Sequence, residues 1–236
     1  MTRAVVICFL GIDGSGKTTL SNLLVEELRR RGFSTRYVRW LECEDSQLRK
    51  TLRRFVRASS RGFDETGEVR TDGAGRTLVG FATRRIYVGL VVLDYLRYGL
   101  LKTIDHGTQP SRSVVVFDRY YFDTLLALSN EFDFSARRRR SLYRLFRTLL
   151  PSPDIVFILD VPMEISYQRR MKDYGSISNA EFLWSEYQNP SKLLGESSIG
   201  STVVRIDNTR NRAIVEAELL EITLGIVRND GQRGSR

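Results

Sequence analysis

The chain has 236 residues and a mass of 27.1 kDa, which suits one domain or at most two small ones. Hydrophobic residues make up 42% and charged residues 28%, a composition that argues against wholesale disorder and against a fibrous repeat. Lys and Arg outnumber Asp and Glu by 37 to 28. The resulting net charge of +9 favours anionic partners such as nucleotides, nucleic acid or an acidic surface.

Cysteine and histidine are scarce, and this scarcity narrows the class of protein. Two cysteines cannot build a disulfide framework, and Cys8 lies in an apolar run, so the sequence indicates a reducing, cytoplasmic setting. A single histidine argues against a zinc site. The longest apolar stretch, residues 86–104, is interrupted by Asp94, Arg97 and Lys102, and it does not indicate a membrane span.

Apolar runs alternate with amphipathic stretches along the whole chain. Buried strands are predicted at residues 4–10, 34–40, 113–117, 154–159 and 202–206. Helices are predicted at residues 18–31, 46–58, 76–104 and 123–150, from about residue 162, and at 211–227. The alternation predicts an α/β fold with a five-stranded parallel sheet and helices on both faces. We expect one domain over residues 1–228, with a mobile loop at 59–75, a lid at about 169–180 and a disordered tail at 229–236.

The first predicted strand runs into Gly11-Ile-Asp-Gly-Ser-Gly-Lys17-Thr18, which matches the phosphate-loop pattern G-x-x-x-x-G-K-[ST]. Glycines let backbone N–H groups curl around a phosphate, and the start of the following helix adds a positive dipole end. Lys17 is expected to reach the β and γ phosphates, and the Thr18 hydroxyl to bind Mg²⁺. The predicted nucleotide-binding residues are Gly11, Asp13, Gly14, Ser15, Gly16, Lys17, Thr18 and Thr19.

Charged residues follow two later strands, where a parallel sheet places its ligands. Asp118 comes at the end of the third strand and can hold Mg²⁺, and Arg119 beside it can grip a phosphate. Arg169 and Arg170 precede a polar stretch that contains glycine, a pattern that suits a lid closing over phosphates. Each pattern also has a structural interpretation, as an ion pair at a strand end or as a solvated helix end.

Four consecutive arginines, Arg137 to Arg140, form the most basic run of the chain. Such a run can bind nucleic acid, but it is more often a solvated helix face, and no aromatic residues are interleaved with it. Nucleic acid is therefore not the favoured partner.

The remaining motifs favour a compact kinase. The chain has no NKxD guanine motif and no LSGGQ-like transporter signature. It resembles the thymidylate kinase family of nucleoside monophosphate kinases. Residues 9–20, FLGIDGSGKTTL, are similar to the opening of that family, and Asp118-Arg119-Tyr120 matches its DR[YF] signature. Phe81 and Arg85 match a family helix in which a Phe and an Arg four residues later hold the thymine base.

The resemblance implies ATP- and Mg²⁺-dependent phosphoryl transfer to a small nucleotide, most of all dTMP, by a protein that forms a homodimer. It implies that Asp13 meets the acceptor's sugar hydroxyl and that Arg39 and Arg119 bind the acceptor's phosphate. It further implies that Phe81 stacks on the base with Arg85 beside it.

The resemblance also implies the catalytic residues. Asp118 is the catalytic or metal-associated carboxylate, Lys17 binds the donor phosphates, and Arg169 and Arg170 supply the transition-state cation, because residue 14 is glycine rather than arginine.

Three departures from the family lie on the acceptor side. Asp123 stands where the family commonly has a small hydroxyl residue, and it is therefore expected near the acceptor. Trp40 follows Arg39 where the family has Glu, and the loop at 59–75 is hard to align. These departures leave open a kinase of the same fold with another acceptor, whether a nucleotide, a nucleoside or another small molecule. A nucleic-acid-binding ATPase is the remaining alternative.

Overall fold

A computed structural model of the chain describes residues 4–40, 85, 86, 88–97, 113–131, 134–174, 177–188 and 201–233. The chain divides into two compact units, one formed by residues 1–40 with 102–236 and the other by residues 41–101. The single domain predicted for residues 1–228 stays a prediction, and the loop predicted at 59–75 lies outside the described residues.

The larger unit is built on a five-stranded parallel sheet in the order β2-β3-β1-β4-β5, which confirms the predicted α/β fold. The strands are β1 Val5–Leu10, β2 Ser34–Arg39, β3 Ser113–Asp118, β4 Ile155–Asp160 and β5 Thr202–Asp207. The helices of this unit are α1 Lys17–Arg30, α3 Tyr121–Glu131, α4 Ala136–Leu149, α5 Met163–Tyr174, α6 Ile177–Gln188 and α7 Arg212–Arg233.

In the smaller unit, the described residues between 85 and 97 form helix α2. Its buried residues Val88, Val91, Val92 and Tyr95 recur at the spacing of one helical face. This is the period expected of a helix that packs against protein on one side.

The core of the larger unit lies around β1, whose six residues are all buried. Val5, Ile7 and Phe9 pack with side chains of α1 and α7 on one face of the sheet. The alternate residues Val6, Cys8 and Leu10 are buried as well, so the other face is also covered. Each fully buried side chain of this size contributes about 1.5–3 kcal/mol, which makes β1 a rigid support for the loop that follows it.

The sheet order places the functional ends of several strands side by side. β1 lies between β3 and β4, and Phe9 of β1 is paired in register with Asp118 of β3. Arg39 at the end of β2 is in turn paired with Asp118. All strands are parallel, so their carboxyl ends share one edge, where ligands of such sheets bind. Among the helices that the structure describes, none combines the length and hydropathy that a membrane crossing requires.

Candidate active site

The loop between β1 and α1 has the backbone that a phosphate cradle requires. Gly11, Gly14 and Gly16 adopt φ values of 145°, 84° and 95°, which side chains of L residues disfavour. A Cβ at Gly16 would lie 2.5 Å from Nδ2 of Asn208, so this position also lacks room for a side chain. Ser15 is fully buried, and its N–H donates to the Ile12 carbonyl at 3.1 Å. The first N–H groups of α1 therefore face the loop without a side-chain cap.

Lys17 is a buried ammonium group that is folded back onto its own loop. Its Nζ donates to the carbonyl oxygens of Gly11 at 2.6 Å and Ile12 at 2.7 Å, and lies 3.7 Å from Oδ1 of Asp13. Burial lowers the pKa of Lys17 to about 8, and the positive charge of Arg119 acts in the same direction. The buried ammonium is shielded from water, and its partners are two neutral carbonyls and one carboxylate. A phosphate oxygen can replace the carbonyls as its partner.

Thr18 and Asp118 bring the phosphate loop and the end of β3 together. The Thr18 hydroxyl donates to Oδ2 of Asp118 at 2.6 Å, and the Tyr37 hydroxyl donates to the same oxygen at 2.8 Å. Asp118 is 1% exposed, and no donor among the described residues reaches its other oxygen, Oδ1. A buried carboxylate oxygen without a partner is costly, so the site is built to receive a further positive group.

The chemistry of these oxygens fits Mg²⁺. This ion prefers one or two carboxylate or hydroxyl ligands, with water and substrate phosphates completing its octahedron. Asp118 Oδ1 and the Thr18 hydroxyl are ligands of this kind. Within the described residues there is no cluster of three or more His, Cys, Asp or Glu side chains that could hold a metal alone. The arrangement suits an ion that shares its coordination sphere with a nucleotide.

Arg119 and Asp13 form an ion pair across the mouth of the loop. Nη2 of Arg119 donates to Oδ1 of Asp13. Although burial opposes the charge of each group, the negative carboxylates of Asp13 and Asp123 hold the pKa of Arg119 above its usual value. Burial likewise opposes the charge of Asp13, but the cations Lys17 and Arg119 hold its pKa below the usual value. Both groups are therefore kept charged before any ligand arrives.

Arg119 also has an uncommon backbone conformation, with φ of 70°. For a residue with a side chain this left-handed conformation is unfavourable, and the surroundings have to maintain it. The Arg119 N–H donates to the Phe9 carbonyl at 3.2 Å, and the next residue, Tyr120, is 1% exposed. The Tyr120 ring packs 4.9 Å from Trp40 and 4.8 Å from Phe117, measured between ring centroids. The direction of Arg119 is thereby fixed by the core.

Helix α5 rests on the same loop. The Ser166 hydroxyl donates to the Asp13 carbonyl, and Nη1 of Arg169 donates to the Gly14 carbonyl at 3.1 Å. At Arg170 the helix is interrupted, with φ −142° and ψ 36°. A Cβ at Gly14 would lie 3.0 Å from the Ser166 carbonyl oxygen and 3.3 Å from Cβ of Arg169, so α5 packs closely against this glycine. The first residue of the predicted lid, Arg169, therefore contacts the phosphate loop. That the lid closes over bound phosphates stays a prediction.

Asp123, expected near the acceptor, has both carboxylate oxygens engaged. It is 7% exposed; Oδ2 accepts the Tyr120 N–H at 3.1 Å, and Oδ1 accepts the Tyr187 hydroxyl. The first contact caps the start of α3 and the second links α3 to α6. Burial raises the pKa of Asp123, although Lys17 and Arg119 oppose this. Its predicted substrate contact stays a prediction, and the structure adds a clear structural role.

The structure describes most of the other predicted binding residues, and one of them lies outside the described part of the chain. Arg39 is exposed at the end of β2, beside Asp118, and Thr19 is exposed in the first turn of α1. Arg85 is exposed on α2 of the smaller unit, and Phe81 lies outside the described residues. Trp40 is 1% exposed and its Nε1–H donates to Oγ1 of Thr124 at 3.0 Å, so it supports the core.

Two contributors to the site are not evident in the motifs. Tyr37 reaches Asp118 from the neighbouring strand, and burial together with the Asp118 charge raises the pKa of its hydroxyl. Asn208 follows β5, and its Nδ2 donates to the Ser15 carbonyl at 2.6 Å. Asn208 could have been suspected as the polar residue after the fifth strand, whereas Tyr37 carries no signal without the strand register.

A cavity of about 710 Å³ opens at the carboxyl ends of β4 and β5. It reaches Asp207 and Thr209, which flank the residue that contacts the phosphate loop. Its lining combines carboxylates with apolar and aromatic groups, namely Asp160, Pro162, Met163, Glu164, Glu181, Trp184, Ser185, Gln188, Asp207 and Thr209.

Comparison with known proteins gives a consistent result. No family model matches the chain. A thymidylate kinase of Leptospira interrogans is 27% identical over 230 residues, covering 94% of this chain and 95% of that protein. A probable thymidylate kinase of Pyrococcus horikoshii is 28% identical over 178 residues, covering 75% and 74%, and one of Archaeoglobus fulgidus is 24% identical over 218 residues, covering 92% and 94%. These relatives cover most of the chain at 24 to 28% identity, and the chain is therefore similar over most of its length to thymidylate kinases, in keeping with a phosphate loop and a DRY strand end that meet in one site.

Proposed function

We propose that the protein transfers the γ-phosphoryl group of ATP to dTMP and forms ADP and dTDP. A phosphate oxygen of dTMP attacks the γ-phosphorus, and the bond to the β–γ bridging oxygen breaks as ADP leaves. The observation that carries the proposal is the convergence of the phosphate loop with Asp118 and Arg119 at one edge of the sheet. Such transfer asks the protein mainly for positioning and for neutralisation of charge.

The phosphate loop binds the donor. The N–H groups at the start of α1 point at the β-phosphate, and Lys17 exchanges its contacts with the Gly11 and Ile12 carbonyls for phosphate oxygens. The exchange replaces neutral acceptors by anionic ones, which favours the charged ammonium in a buried place. Binding of the triphosphate thereby offsets the desolvation cost of the buried, charged Lys17.

Thr18 and Asp118 are the residues that would hold Mg²⁺. When bound, the ion supplies neutralisation of the β- and γ-phosphate oxygens. Tyr37 keeps Oδ2 of Asp118 occupied by a hydrogen bond, so Oδ1 is the oxygen left to bind. The strand register thus orients the carboxylate before the nucleotide enters.

Asp13 and Arg119 receive the acceptor. Arg119 can grip the acceptor's phosphate with two parallel N–H groups, while Asp13 is released to accept a hydrogen bond from the sugar. The register of Arg39 beside Asp118 supports assigning Arg39 to the same phosphate. The Arg119 backbone is fixed by its hydrogen bond to Phe9 and by the packing of Tyr120, so the side chain reaches the acceptor's phosphate from a defined starting point.

The lid arginines complete the charge balance. Arg169 donates to the Gly14 carbonyl of the phosphate loop at 3.1 Å, and Arg170 marks the interruption of α5. On closure, Arg169 turns from the Gly14 carbonyl to the migrating phosphoryl oxygens and excludes water that would otherwise hydrolyse ATP. The 710 Å³ cavity beside Asn208 is our assignment for the adenosine part of ATP.

A coupled assay across acceptors tests the proposal. Purified protein receives ATP and Mg²⁺ with dTMP, dUMP, other nucleoside monophosphates or nucleosides, and ADP production is followed. We expect the highest kcat/KM for dTMP, and a Lys17→Ala variant serves as the blank. A preference for a nucleoside or another monophosphate would overturn the assignment of the acceptor.

The homodimer implied by the resemblance and the cytoplasmic location indicated by the cysteine content stay predictions. The predicted helix at residues 76–104, whose apolar side chains suit either a dimer interface or burial within the monomer, lies largely outside the described residues.

A further inference from the structure

Helix α4 carries six arginines and no acidic residue. Four of them, Arg137, Arg140, Arg144 and Arg147, follow the spacing of one helical face and extend over about 15 Å of the helix axis. All four are exposed. We call these four residues the arginine stripe. The stripe is not evident in the run of four consecutive arginines, because consecutive residues point in different directions around a helix.

The two other arginines of α4 serve the fold. Nη1 of Arg139 lies 3.1 Å from Oε2 of Glu186, a carboxylate that is buried between α4 and α6. The guanidinium of Arg138 lies over the Phe134 ring at 4.4 Å from its centroid. Within the part of the chain that the structure describes, no carboxylate lies within 4.0 Å of a stripe arginine.

The stripe is unfavourable for the helix that bears it. Like charges three and four residues apart repel each other, and Arg137 also lies in the first turn, next to the positive end of the helix dipole. Phe146 anchors the opposite side of α4 and is 0% exposed, so the stripe is held outward on a fixed support. A bound polyanion would remove both sources of repulsion.

The geometry points to the phosphate backbone of a nucleic acid duplex. We propose that the arginine stripe binds such a backbone irrespective of base sequence. Guanidinium groups repeating at about 4.5 to 6 Å along a rigid axis suit a polymeric anion, and duplex DNA carries one charge per about 1.7 Å. No aromatic side chain lies between the arginines on the exposed face, where Ser141, Leu145 and Thr148 stand, so bases are not stacked. The net charge of +9 assists the approach.

An anionic membrane is the less suitable partner. A helix that lies in a lipid surface needs a broad apolar face, and the apolar side of α4 is engaged through Phe146. The exposed apolar groups of α4 are Leu145 and Leu149, which are 41% and 40% exposed. Two half-exposed leucines provide little area for insertion.

The test measures binding of the full chain to a fluorescently labelled, mixed-sequence duplex of about 20 base pairs. Fluorescence anisotropy is recorded at salt concentrations between about 50 and 200 mM KCl. Replacing the four stripe arginines by glutamine is expected to weaken binding at least about tenfold and to flatten the log–log salt slope by about 3 to 4, since each contact contributes about 0.9. The charge-matched control replaces four other exposed arginines by glutamine, namely Arg30, Arg31, Arg212 and Arg228.

The control and two further readouts decide the outcome. Equal loss in both variants, or no loss in the stripe variant, would overturn the proposal, as would binding of the wild type to phosphatidylserine vesicles but not to the duplex. Kinase activity with dTMP should be the same in wild type and stripe variant, since no stripe residue belongs to the catalytic site. The stripe variant should also unfold at a higher temperature, and a lower Tm would show that these arginines are structural.

Discussion

Thr18 and Asp118 are 100 residues apart in the chain, yet the hydroxyl of one donates to the carboxylate of the other at 2.6 Å. The contact depends on the position of β3 beside β1, which sets Asp118 level with Phe9, two residues before the phosphate loop begins. It leaves Oδ1 of Asp118 without a donor among the described residues. The two halves of the predicted metal site are thus joined before a nucleotide binds.

Asp118→Asn should lower kcat by about 10²-fold or more, because a neutral amide binds Mg²⁺ poorly. The Mg²⁺ concentration that gives half-maximal activity should rise. Titration of activity with Mg²⁺ measures both effects. The control is Glu216→Gln on α7, a carboxylate outside the proposed site that accepts a hydrogen bond from Nε of Arg212 at 2.6 Å. An unchanged Mg²⁺ dependence in Asp118→Asn would remove Asp118 from the metal site.

Lys17 should make stability depend on alkaline pH in the nucleotide-free protein. Burial lowers its pKa from 10.5 to about 8, so between these values the unfolded chain binds more protons than the folded one. Stability of the wild type should therefore rise with pH in this window, relative to Lys17→Met, by up to about 3 kcal/mol. Urea unfolding of both proteins from about pH 7 upwards measures this, and parallel curves would contradict it.

Asp123→Ser should cost about 1 to 2 kcal/mol of stability, because the cap of α3 is weakened and the Tyr187 hydroxyl loses its buried acceptor. Tyr187→Phe removes only the second contact and should cost less. Chemical denaturation compares the variants, and the dTMP to dUMP activity ratio is recorded beside it. A changed ratio at unchanged stability would instead support the predicted substrate contact.

Replacing Arg169 and Arg170 by alanine should lower kcat much more than ATP affinity, by about 10²-fold or more, because a transition-state cation acts on the migrating group. Steady-state kinetics measure kcat, and equilibrium binding measures the affinity for ATP. Arg30→Ala, an exposed arginine on α1, is the control. If only ATP affinity falls, the lid arginines bind the ground state and nothing more.

Trp184 should report donor binding. The chain has 2 tryptophans; Trp40 is 1% exposed in the core, whereas Trp184 lines the cavity assigned to adenosine. ATP should alter the tryptophan emission of the wild type, and the change should vanish in Trp184→Phe. A persisting change in that variant would place the adenosine elsewhere.

The sequence predicts the parts of the site that a single segment encodes. The apolar run before Gly11 and the glycines after it specify β1 and its loop, and Asp118 stands out as a charge at the end of a buried strand. The contact of Tyr37 with Asp118 depends on the register between β2 and β3, and the contact of Asn208 with Ser15 depends on the sheet order. Both contacts form only when distant segments of the chain pair in the sheet, so neither can be read from a local sequence pattern.

The Arg119–Asp13 pair has a consequence for selectivity. Asp13 and Arg119 neutralise each other, so an oxyanion such as sulfate would have to break this ion pair to bind Arg119 and would offer no hydrogen bond to the displaced carboxylate. A nucleotide that carries both a phosphate and a sugar hydroxyl compensates each half of the broken pair. On the proposed assignment of Asp13 and Arg119, this ion pair would disfavour simple inorganic anions relative to a nucleotide.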